Sequence, residues 1–389
     1  MRTTWAMIGL LALGAAGLGC SDDEPAADGD GNGGATGSGG SGASGASGSS
    51  GASGGSGASG ASGGSGGQPA QLEDTHFSGR FDASDAEGLR STWSGTSIGT
   101  RFSGTGIEVE LSGAGGVFFQ PIVDGAPGAA FETSGGLATY ALADGLADGD
   151  HDVTLYRLTE GWTGVVQFRG FTPEEGGSIV PSPSPFAHKL ELIGDSITCG
   201  YGVLGPNGDC NFTTATESAY ETYAAIAARN TAADAHLVAY SGKGVFQNYG
   251  GGKEDLMPEL WLRTLTDDPT PWDFQSWAAD AVVINLGTND FSVAISAGEF
   301  VPAYVALLGA VRERYPQAPI FTVTWAHWGG EHEQWVADAV SETGDANIEV
   351  VPFEIQNDEG FGCDYHPSAA THARLGEELT QVLQTKLGW

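Results

Sequence analysis

Residues 188–202 read HKLELIGDSITCGYG and carry the strongest structural signal in the chain. The apolar run Leu190–Ile193 is typical of a short buried strand, and it leads directly into Gly194-Asp195-Ser196. This order predicts a strand-to-helix turn with the Ser196 hydroxyl at the rim of a sheet. Serine is also a common helix cap, so the position alone does not assign a role. Residue 198 is Thr where the nucleophile elbow G-x-S-x-G requires Gly, which disfavours the ordinary α/β-hydrolase fold.

Further apolar runs follow this strand, and helix-like segments separate them. The five strand-like runs are Leu190–Ile193, Leu237–Tyr240, Ala281–Leu286, Ile320–Trp325 and Ile348–Phe353. The helix-like segments are about Ser218–Arg229, Glu299–Arg314, Glu331–Glu342 and Ser368–Leu387. Buried strands that alternate with helices predict a parallel sheet covered on both faces, which is a three-layer α/β/α domain. In such sheets, functional sites form where loops leave the carboxyl ends of the strands.

Polar motifs follow the second and third of these strands. They are Ser241-Gly242-Lys243-Gly244 and Gly287-Thr288-Asn289-Asp290. The backbone N–H groups of Ser196 and Gly242 and the Asn289 side-chain amide are therefore predicted to meet at one rim and form an oxyanion hole. The alternatives are a tight turn at the glycine and a turn or helix cap at Asn289.

The last strand leads into Phe361-Gly362-Cys363-Asp364-Tyr365-His366-Pro367. Pro367 stiffens this loop and prepares the first turn of the final helix, so we expect His366 to be held over the rim as a general base. His372 lies nearby, but it falls within the helix and is expected at the surface.

The chain before residue 186 divides into three parts. Residues 1–19 have a basic start and a short apolar run, which predict an export signal, and Cys20 ends a lipoprotein-like box at which the chain is expected to be lipidated. The alternative is ordinary secretion with Cys20 in a tail. Residues 20–72 are rich in Gly, Ser and Ala and predict a disordered tether. Residues 73–180 show period-two runs between turn signals and predict an antiparallel β-sandwich, and residues 186–389 then form the α/β domain.

Net charge and motif spacing argue against nucleic-acid binding, lipid binding and a metalloprotease site. Fifteen Lys+Arg against 49 Asp+Glu give a net charge of −34, which disfavours binding to nucleic acid or to anionic lipid. His332-Glu333 lacks the second His of a metalloprotease helix, because residue 336 is Val, and no metal or other cofactor is expected. Cys199, Cys210 and Cys363 allow three disulfide pairings, which the sequence leaves open.

The polar motifs resemble a known family. GDSITCGYG at 194–202, SGKG at 241–244, LGTND at 286–290 and CDYHP at 363–367 are similar to the four ordered blocks of the SGNH hydrolases, which have a flavodoxin-like fold. The long first block and the preceding β region resemble carbohydrate esterase family 2 more narrowly. The β-region motifs are Gly79-Arg80-Phe81, Asp150-His151 and Leu158-Thr159-Glu160. That family joins an N-terminal jelly roll to an SGNH domain and removes acetyl groups from plant polysaccharides.

The resemblance implies a role for each motif residue. Ser196 is the expected nucleophile and His366 the expected base, with Ser196, Gly242 and Asn289 as oxyanion-hole donors. Many SGNH hydrolases have Asp three residues before this His, but here that residue is Cys363, and Asp364 stands two before it. Asp364 is therefore a candidate third catalytic residue. The alternatives are a solvated loop carboxylate and a dyad in which a backbone carbonyl orients His366.

Tryptophans near the rim are the candidate substrate contacts. Trp325 and Trp328 follow the fourth strand and are expected to stack on a sugar ring, while Trp261, Trp272 and Trp277 are further candidates; packing is the alternative for all of them. We expect an exported, monomeric esterase for acetylated polysaccharide or oligosaccharide. It would lie at a bacterial cell surface or in the periplasm, attached to a membrane only through the Cys20 lipid, or be secreted. The rival interpretations are a thioesterase or lysophospholipase-like enzyme and a glycan-binding protein with an inactive hydrolase domain.

Overall fold

The computed structural model describes residues 74–356 and 359–389, all within one compact unit. The predicted signal sequence, Cys20 and the tether up to residue 72 lie outside the described residues. Within the described part of the chain, no helix is long and apolar enough to cross a membrane.

The first part of the described chain is mostly β, and its strands are antiparallel as predicted. Its strands are Thr75–Ser78 (β1), Leu89–Ser91 (β2), Ser97–Gly104 (β3), Ile107–Gly113 (β4), Gly115–Val123 (β5), Ala126–Pro127 (β6), Phe131–Ser134 (β7), Ala138–Ala143 (β8), Gly149–Arg157 (β9), Val166–Pro173 (β10) and Ser178–Val180 (β11). They form two antiparallel sheets. One has the order β1-β3-β9-β5-β6 with β11 beside β3 and β7 beside β5, and the other has the order β2-β10-β4-β8. We call residues 75–180 the β-sandwich.

The alternation of apolar and polar residues explains how the sandwich closes. In β4, Ile107, Val109 and Leu111 are buried, whereas Glu108 is exposed. Successive side chains of a strand point to opposite faces, so this pattern turns one face of the sheet inward. The inward residues of both sheets, including Phe102, Leu155 and Phe168, form one apolar core.

The second part of the described chain contains the predicted parallel sheet. Its strands are His188–Gly194 (β12), Ala233–Ala239 (β13), Ala281–Asn285 (β16), Ile320–Trp325 (β17) and Ile348–Phe353 (β18), in the spatial order β13-β12-β16-β17-β18. The helices are Ser196–Cys199 (α1), Tyr223–Asn230 (α2), Met257–Leu260 (α3), Ala297–Arg314 (α4), Gly330–Thr343 (α5) and Ala369–Leu387 (α6). Arg263–Leu265 (β14) and Asp268–Pro271 (β15) form a separate hairpin. We call residues 188–389 the α/β domain.

Helices cover both faces of this sheet. On one face, residues of α4 and α5 such as Phe300 and Val336 join the cluster that contains Ile284 of β16. On the other face, residues of α6 such as Leu379 join the cluster that contains the neighbouring residue Val283. The continuous burial of the strands therefore reflects two apolar faces, which confirms the three-layer α/β/α prediction.

A helix and a strand begin several residues away from their predicted starts. The helix expected from Ser218 begins at Tyr223, because the Thr222 side chain accepts the N–H of Ala225 and caps the helix there. The strand expected at Leu237–Tyr240 is β13, which already begins at Ala233. The polar residues in the first half of β13 prevented its prediction from apolar runs. One of them, Asp234, is nevertheless buried and accepts a hydrogen bond from Trp277.

The β-sandwich and the α/β domain share a buried interface. Arg80 of the sandwich and Glu191 of β12 form a wholly buried ion pair at 2.6 Å, and Trp261 donates to the same carboxylate at 3.0 Å. The Ser78 hydroxyl also bonds the backbone N–H and C=O of Ala235 in β13, both at 3.1 Å. Buried charges are tolerated only when they are paired and hydrogen-bonded, so these contacts define one relative position of the two parts.

Candidate active site

Ser196 lies at the carboxyl edge of the sheet, at the start of α1, directly after β12. The Asp195 carboxylate accepts the N–H of Ile197 at 3.1 Å and caps this short helix. Gly194 permits the tight turn, since a Cβ at this position would lie 2.1 Å from the Thr198 hydroxyl oxygen. The strand-to-helix turn predicted from the sequence is therefore present, and Ser196 is 7% exposed at its tip.

His366 reaches this serine from the loop before α6. Its Nε2 lies 2.9 Å from Ser196 Oγ, so the two residues that are 170 positions apart in the chain are in hydrogen-bond contact. Burial lowers the pKa of His366 below its ordinary value, while the nearby Asp364 carbonyl partly opposes this shift. The neutral imidazole is therefore favoured, and Nε2 can accept the serine proton.

The backbone of Asp364, and not its carboxylate, contacts the other ring nitrogen. His366 Nδ1 lies 3.2 Å from the Asp364 carbonyl oxygen. The Asp364 carboxylate instead accepts the Tyr201 hydroxyl at 2.9 Å and the N–H of Phe212 at 3.0 Å. The expectation that the Asp364 side chain orients the imidazole is therefore corrected. A donor at Nδ1 facing a carbonyl leaves Nε2 unprotonated and ready to accept, so this contact selects the useful tautomer.

The loop that carries His366 is bonded to the loop after α1. Cys363 and Cys210 form a disulfide, which resolves the open pairing and leaves Cys199 as a buried free thiol. Backbone bonds also join Cys363 to Gly202 at 2.9 Å and Asp364 to Cys210 at 2.9 Å. Asp364 has a left-handed φ of 51°, a conformation that Asp adopts more readily than most residues. This turn directs the Asp364 carbonyl toward the ring and the carboxylate away from it.

Asn289 joins two of the loops that carry the predicted oxyanion donors. In the described chain, no acceptor is bonded to the backbone N–H of Ser196 or of Gly242. Asn289 Nδ2 lies 3.2 Å from Asp195 Oδ2 and 2.9 Å from the Lys243 carbonyl. Burial raises the pKa of Asp195 to about 7. Two N–H groups are therefore free for an incoming oxygen, and Asn289 can donate to it after exchanging one of its present acceptors.

Asp290 is a site residue that sequence reasoning missed. Its carboxylate accepts the backbone N–H groups of Val245 at 2.9 Å, Phe246 at 2.7 Å and Gln247 at 3.0 Å. It thereby ties the loop after β13 to the loop after β16. Its position in the LGTND block was the only signal available.

The five candidate tryptophans divide into two half-buried residues, Trp272 and Trp328, and three buried ones. Trp328 is half-buried, and its Nε1 donates to Thr288 at 3.2 Å, next to Asn289. Trp325 is wholly buried and donates to Asn285 at 2.8 Å, so the expectation that it stacks on a sugar is wrong. It is the last residue of β17, and its ring packs into the core against Phe353. Trp261 and Trp277 are buried as well.

His372 is also placed differently from the expectation of a surface residue. It is 1% exposed, and its Nδ1 accepts the N–H of Tyr223 at 3.1 Å. The turn of α6 that carries His372 faces α2, so this histidine joins two helices instead of meeting solvent. Burial lowers its pKa to about 3, which keeps the ring neutral.

A cleft of about 500 Å³ opens beside the imidazole. The residues that line it include Ile197, Thr288, His327, Phe361, Tyr365 and His366. Its walls therefore come from the loops after β12, β16, β17 and β18, which is the edge where the sequence predicted the site.

The fold and the site define a class of protein. A serine and a histidine in contact at the carboxyl edge of a five-stranded parallel sheet, with free N–H donors beside them, are the features of a carboxylic ester hydrolase of the GDSL type. In agreement, residues 192–374 match the family "GDSL-like Lipase/Acylhydrolase", and residues 77–183 match the family "Carbohydrate esterase 2 N-terminal".

The chain belongs to carbohydrate esterase family 2. It is similar to a family two carbohydrate esterase from Clostridium thermocellum solved in complex with cellohexaose, with 39% identity, a TM-score of 0.78, and coverage of 81% of this chain and 99% of that one.

Curated relatives agree with this assignment. The cellulase/esterase CelE of Acetivibrio thermocellus is 40% identical over 322 residues, which are 80% of this chain and 39% of that protein, so the chain spans about two fifths of its length. An acetylxylan esterase / glucomannan deacetylase of Cellvibrio japonicus is 26% identical over 318 residues, covering 80% of this chain and 88% of that enzyme.

Proposed function

We propose that this protein is a serine esterase that removes O-acetyl groups from polysaccharides such as xylan or mannan. The observation that carries the proposal is the 2.9 Å contact between His366 Nε2 and Ser196 Oγ, with unoccupied N–H donors on both Ser196 and Gly242. A nucleophile, a base and an oxyanion hole are the parts that acyl transfer requires.

The geometry supports a two-step reaction. His366 takes the proton of Ser196 while Oγ attacks the acetyl carbonyl carbon, and the N–H groups of Ser196 and Gly242 stabilise the resulting oxyanion, with Asn289 as the third proposed donor. The imidazolium then protonates the departing sugar oxygen, which leaves an acetyl ester on Ser196. Water, deprotonated by His366, hydrolyses this ester and restores the serine. The Asp364 carbonyl keeps the Nδ1 proton in place during both steps.

The relatives and the site support a carbohydrate substrate. One relative is named an acetylxylan esterase / glucomannan deacetylase, and another was solved with cellohexaose. Trp328 is the proposed sugar contact, since it is half-buried and bonds Thr288, which lines the cleft. Aromatic faces of this kind stack on sugar rings at little entropic cost.

The decisive experiment measures acetate released from acetylated xylan, mannan and pectin by the wild type and by Ser196→Ala. We expect Ser196→Ala to lose activity by at least about 1000-fold, because nucleophilic attack is then impossible. Ser276→Ala is the matched control, since this exposed hydroxyl bonds only its own turn at Asp273. Equal acetate release by the wild type and Ser196→Ala contradicts the proposal.

A series of nitrophenyl esters from acetate to octanoate tests the preference for a short acyl group. A steep preference for acetate supports deacetylation, whereas activity that rises toward octanoate assigns the site to longer acyl chains.

We also propose that the chain is exported, lipidated at Cys20 and monomeric. The jelly-roll topology of the β-sandwich and the tether at 20–72 stay predictions. Cys20→Ser is expected to move the protein from the membrane fraction to the soluble fraction of the exporting cell, and unchanged partition contradicts the anchor.

A further inference from the structure

Glu160 belongs to the β-sandwich, but its side chain ends in the α/β domain. It follows β9 and begins a single helical turn, Gly161–Thr163. The buried guanidinium of Arg157 donates to the carbonyls of Thr159 at 2.9 Å and Gly164 at 2.8 Å, which holds this segment on both sides of Glu160. Glu160 itself is wholly buried, so water does not compete for the hydrogen bonds of its carboxylate.

The carboxylate accepts hydrogen bonds from Ser241 and Cys199 of the α/β domain and from Trp162 of the β-sandwich. Oε2 accepts the backbone N–H of Ser241 at 2.7 Å, and Oε1 accepts the Ser241 hydroxyl. The thiol of Cys199, at the end of α1, also donates to Oε2 at 3.6 Å. Burial raises the pKa of Glu160, and the bonds from Ser241 oppose that shift. A buried polar group that loses its hydrogen-bond partner destabilises the protein, so the bonds to Glu160 hold Ser241 firmly.

Ser241 is the residue that sets the direction of an oxyanion donor. The N–H of Lys243 bonds the Tyr240 carbonyl at 3.3 Å, and Gly242 has a φ of 77°, which together describe a type II turn over residues 240–243. The central peptide of this turn joins Ser241 to Gly242 and carries the Gly242 N–H. Type I and type II turns differ by a flip of this same peptide, which would point the N–H away from the site. The orientation of the donor therefore depends on how residue 241 is held.

We propose that Glu160 is a positioning residue through which the β-sandwich holds the Ser241–Gly242 peptide with its N–H directed at the oxyanion. The inference rests on the proposed function, since it concerns the same oxyanion hole. It gives the β-sandwich a part in catalysis that does not depend on sugar binding.

The test compares kcat and KM for 4-nitrophenyl acetate in the wild type, Glu160→Ala and Glu160→Gln. Loss of one oxyanion donor typically costs about 100- to 1000-fold in kcat, and a donor that is only misdirected part of the time costs less, so we expect a 10- to 100-fold lower kcat in Glu160→Ala. KM should stay within about threefold, because the oxyanion forms only in the transition state. Glu160→Gln retains an acceptor for the Ser241 N–H and a donor for its hydroxyl, so we expect it to restore kcat to within roughly fivefold of the wild type.

Ser78→Ala is the matched control for a weakened interface. It removes two buried hydrogen bonds to Ala235 in β13, without touching the turn at 240–243. It should lower the melting temperature while kcat stays unchanged. A folded Glu160→Ala with the kcat of Ser78→Ala overturns the inference.

Two further arms keep the outcome unambiguous. If circular dichroism shows that Glu160→Ala is unfolded, the test uses Ser241→Ala, which removes only the hydroxyl contact with Glu160. A kcat of Ser241→Ala equal to that of the wild type overturns the inference. A severalfold lower kcat with unchanged KM supports it. Ser196→Ala is measured beside these variants. Wild-type activity no higher than that of Ser196→Ala refutes the proposed function, whereas a fully active wild type with fully active Glu160 variants refutes only the role of Glu160.

Discussion

Asp364→Asn distinguishes a catalytic dyad from a triad in this site. If the Asp364 carboxylate oriented and stabilised the imidazolium, replacing it by an amide would lower kcat by about 10⁴-fold, as in serine hydrolases with a complete triad. In the structure, however, His366 Nδ1 faces the Asp364 carbonyl at 3.2 Å, and an Asn at this position leaves that carbonyl unchanged. Asn also tolerates the left-handed φ of 51°.

The expected loss follows from the two bonds that the carboxylate does make. It accepts the Tyr201 hydroxyl at 2.9 Å and the Phe212 N–H at 3.0 Å. An amide oxygen retains acceptor capacity but loses the charge, which weakens the pair by roughly 1 kcal/mol in all. If this whole amount loosened the loop of His366, kcat would fall by about fivefold.

The assay is steady-state hydrolysis of 4-nitrophenyl acetate at pH 7.5, with the melting temperature measured in parallel. A second variant, Tyr201→Phe, is the matched control, since it removes only the hydroxyl that the carboxylate accepts and keeps the ring, whose centroid lies 4.4 Å from that of His366. We expect both variants to show similar, small losses. A folded Asp364→Asn that loses 1000-fold or more, beside an active Tyr201→Phe, refutes the assignment of the carbonyl as the orienting group.

Three further outcomes follow from the same structure. Because burial lowers the pKa of His366, the part of the kcat/KM profile that this base controls should decline on acidification with a midpoint below the ordinary value of about 6.5, and a pH–rate profile that is flat to pH 4 contradicts His366 as the base. Cys210→Ser should lower the free energy of unfolding by roughly 2–5 kcal/mol, measured by urea denaturation, because the disulfide to Cys363 closes a loop of 153 positions. It should also reduce kcat, measured by steady-state kinetics, because the loop of His366 becomes less constrained. The pKa of His372 is about 3 in the folded protein, whereas in the unfolded chain this histidine binds a proton near pH 6.5. This group therefore lowers the free energy of unfolding by roughly 1.5 kcal/mol as the pH decreases from 6.5 to 5. Urea denaturation of His372→Gln should show a smaller pH dependence.

The parallel sheet and the Ser196–His366 contact were both predictable from local patterns. An apolar strand followed by Gly-Asp-Ser and a Pro-stiffened loop before the last helix each specify a position at the carboxyl edge of the sheet. Once the strands are parallel, the ends of all of them meet at that edge. Residues far apart in the chain are then brought together by topology alone, and no knowledge of side-chain packing is needed.

The direction of individual side chains was not predictable in the same way. Trp325 ends a strand, and whether its ring turns to the rim or to the core depends on what packs against β17. His372 lies on a helix whose inward face is set by contact with α2. The Asp364 carboxylate points to Tyr201 because the backbone adopts a left-handed turn. Each of these outcomes rests on contacts between elements that are distant in sequence.

The amino-acid sequence by itself determined the order of strands and helices and the placement of Ser196 and His366 at the carboxyl edge of the sheet, because these follow from periodicity and from motifs of a few residues. The tertiary structure alone decided that a backbone carbonyl faces the imidazole, that Cys210 pairs with Cys363, and that Glu160 of the β-sandwich bonds the loop of the proposed oxyanion donor Gly242. The physical reason is that hydrogen-bond partners are chosen by direction and distance in space, and a carboxylate 81 positions from its partner leaves no local trace of that choice.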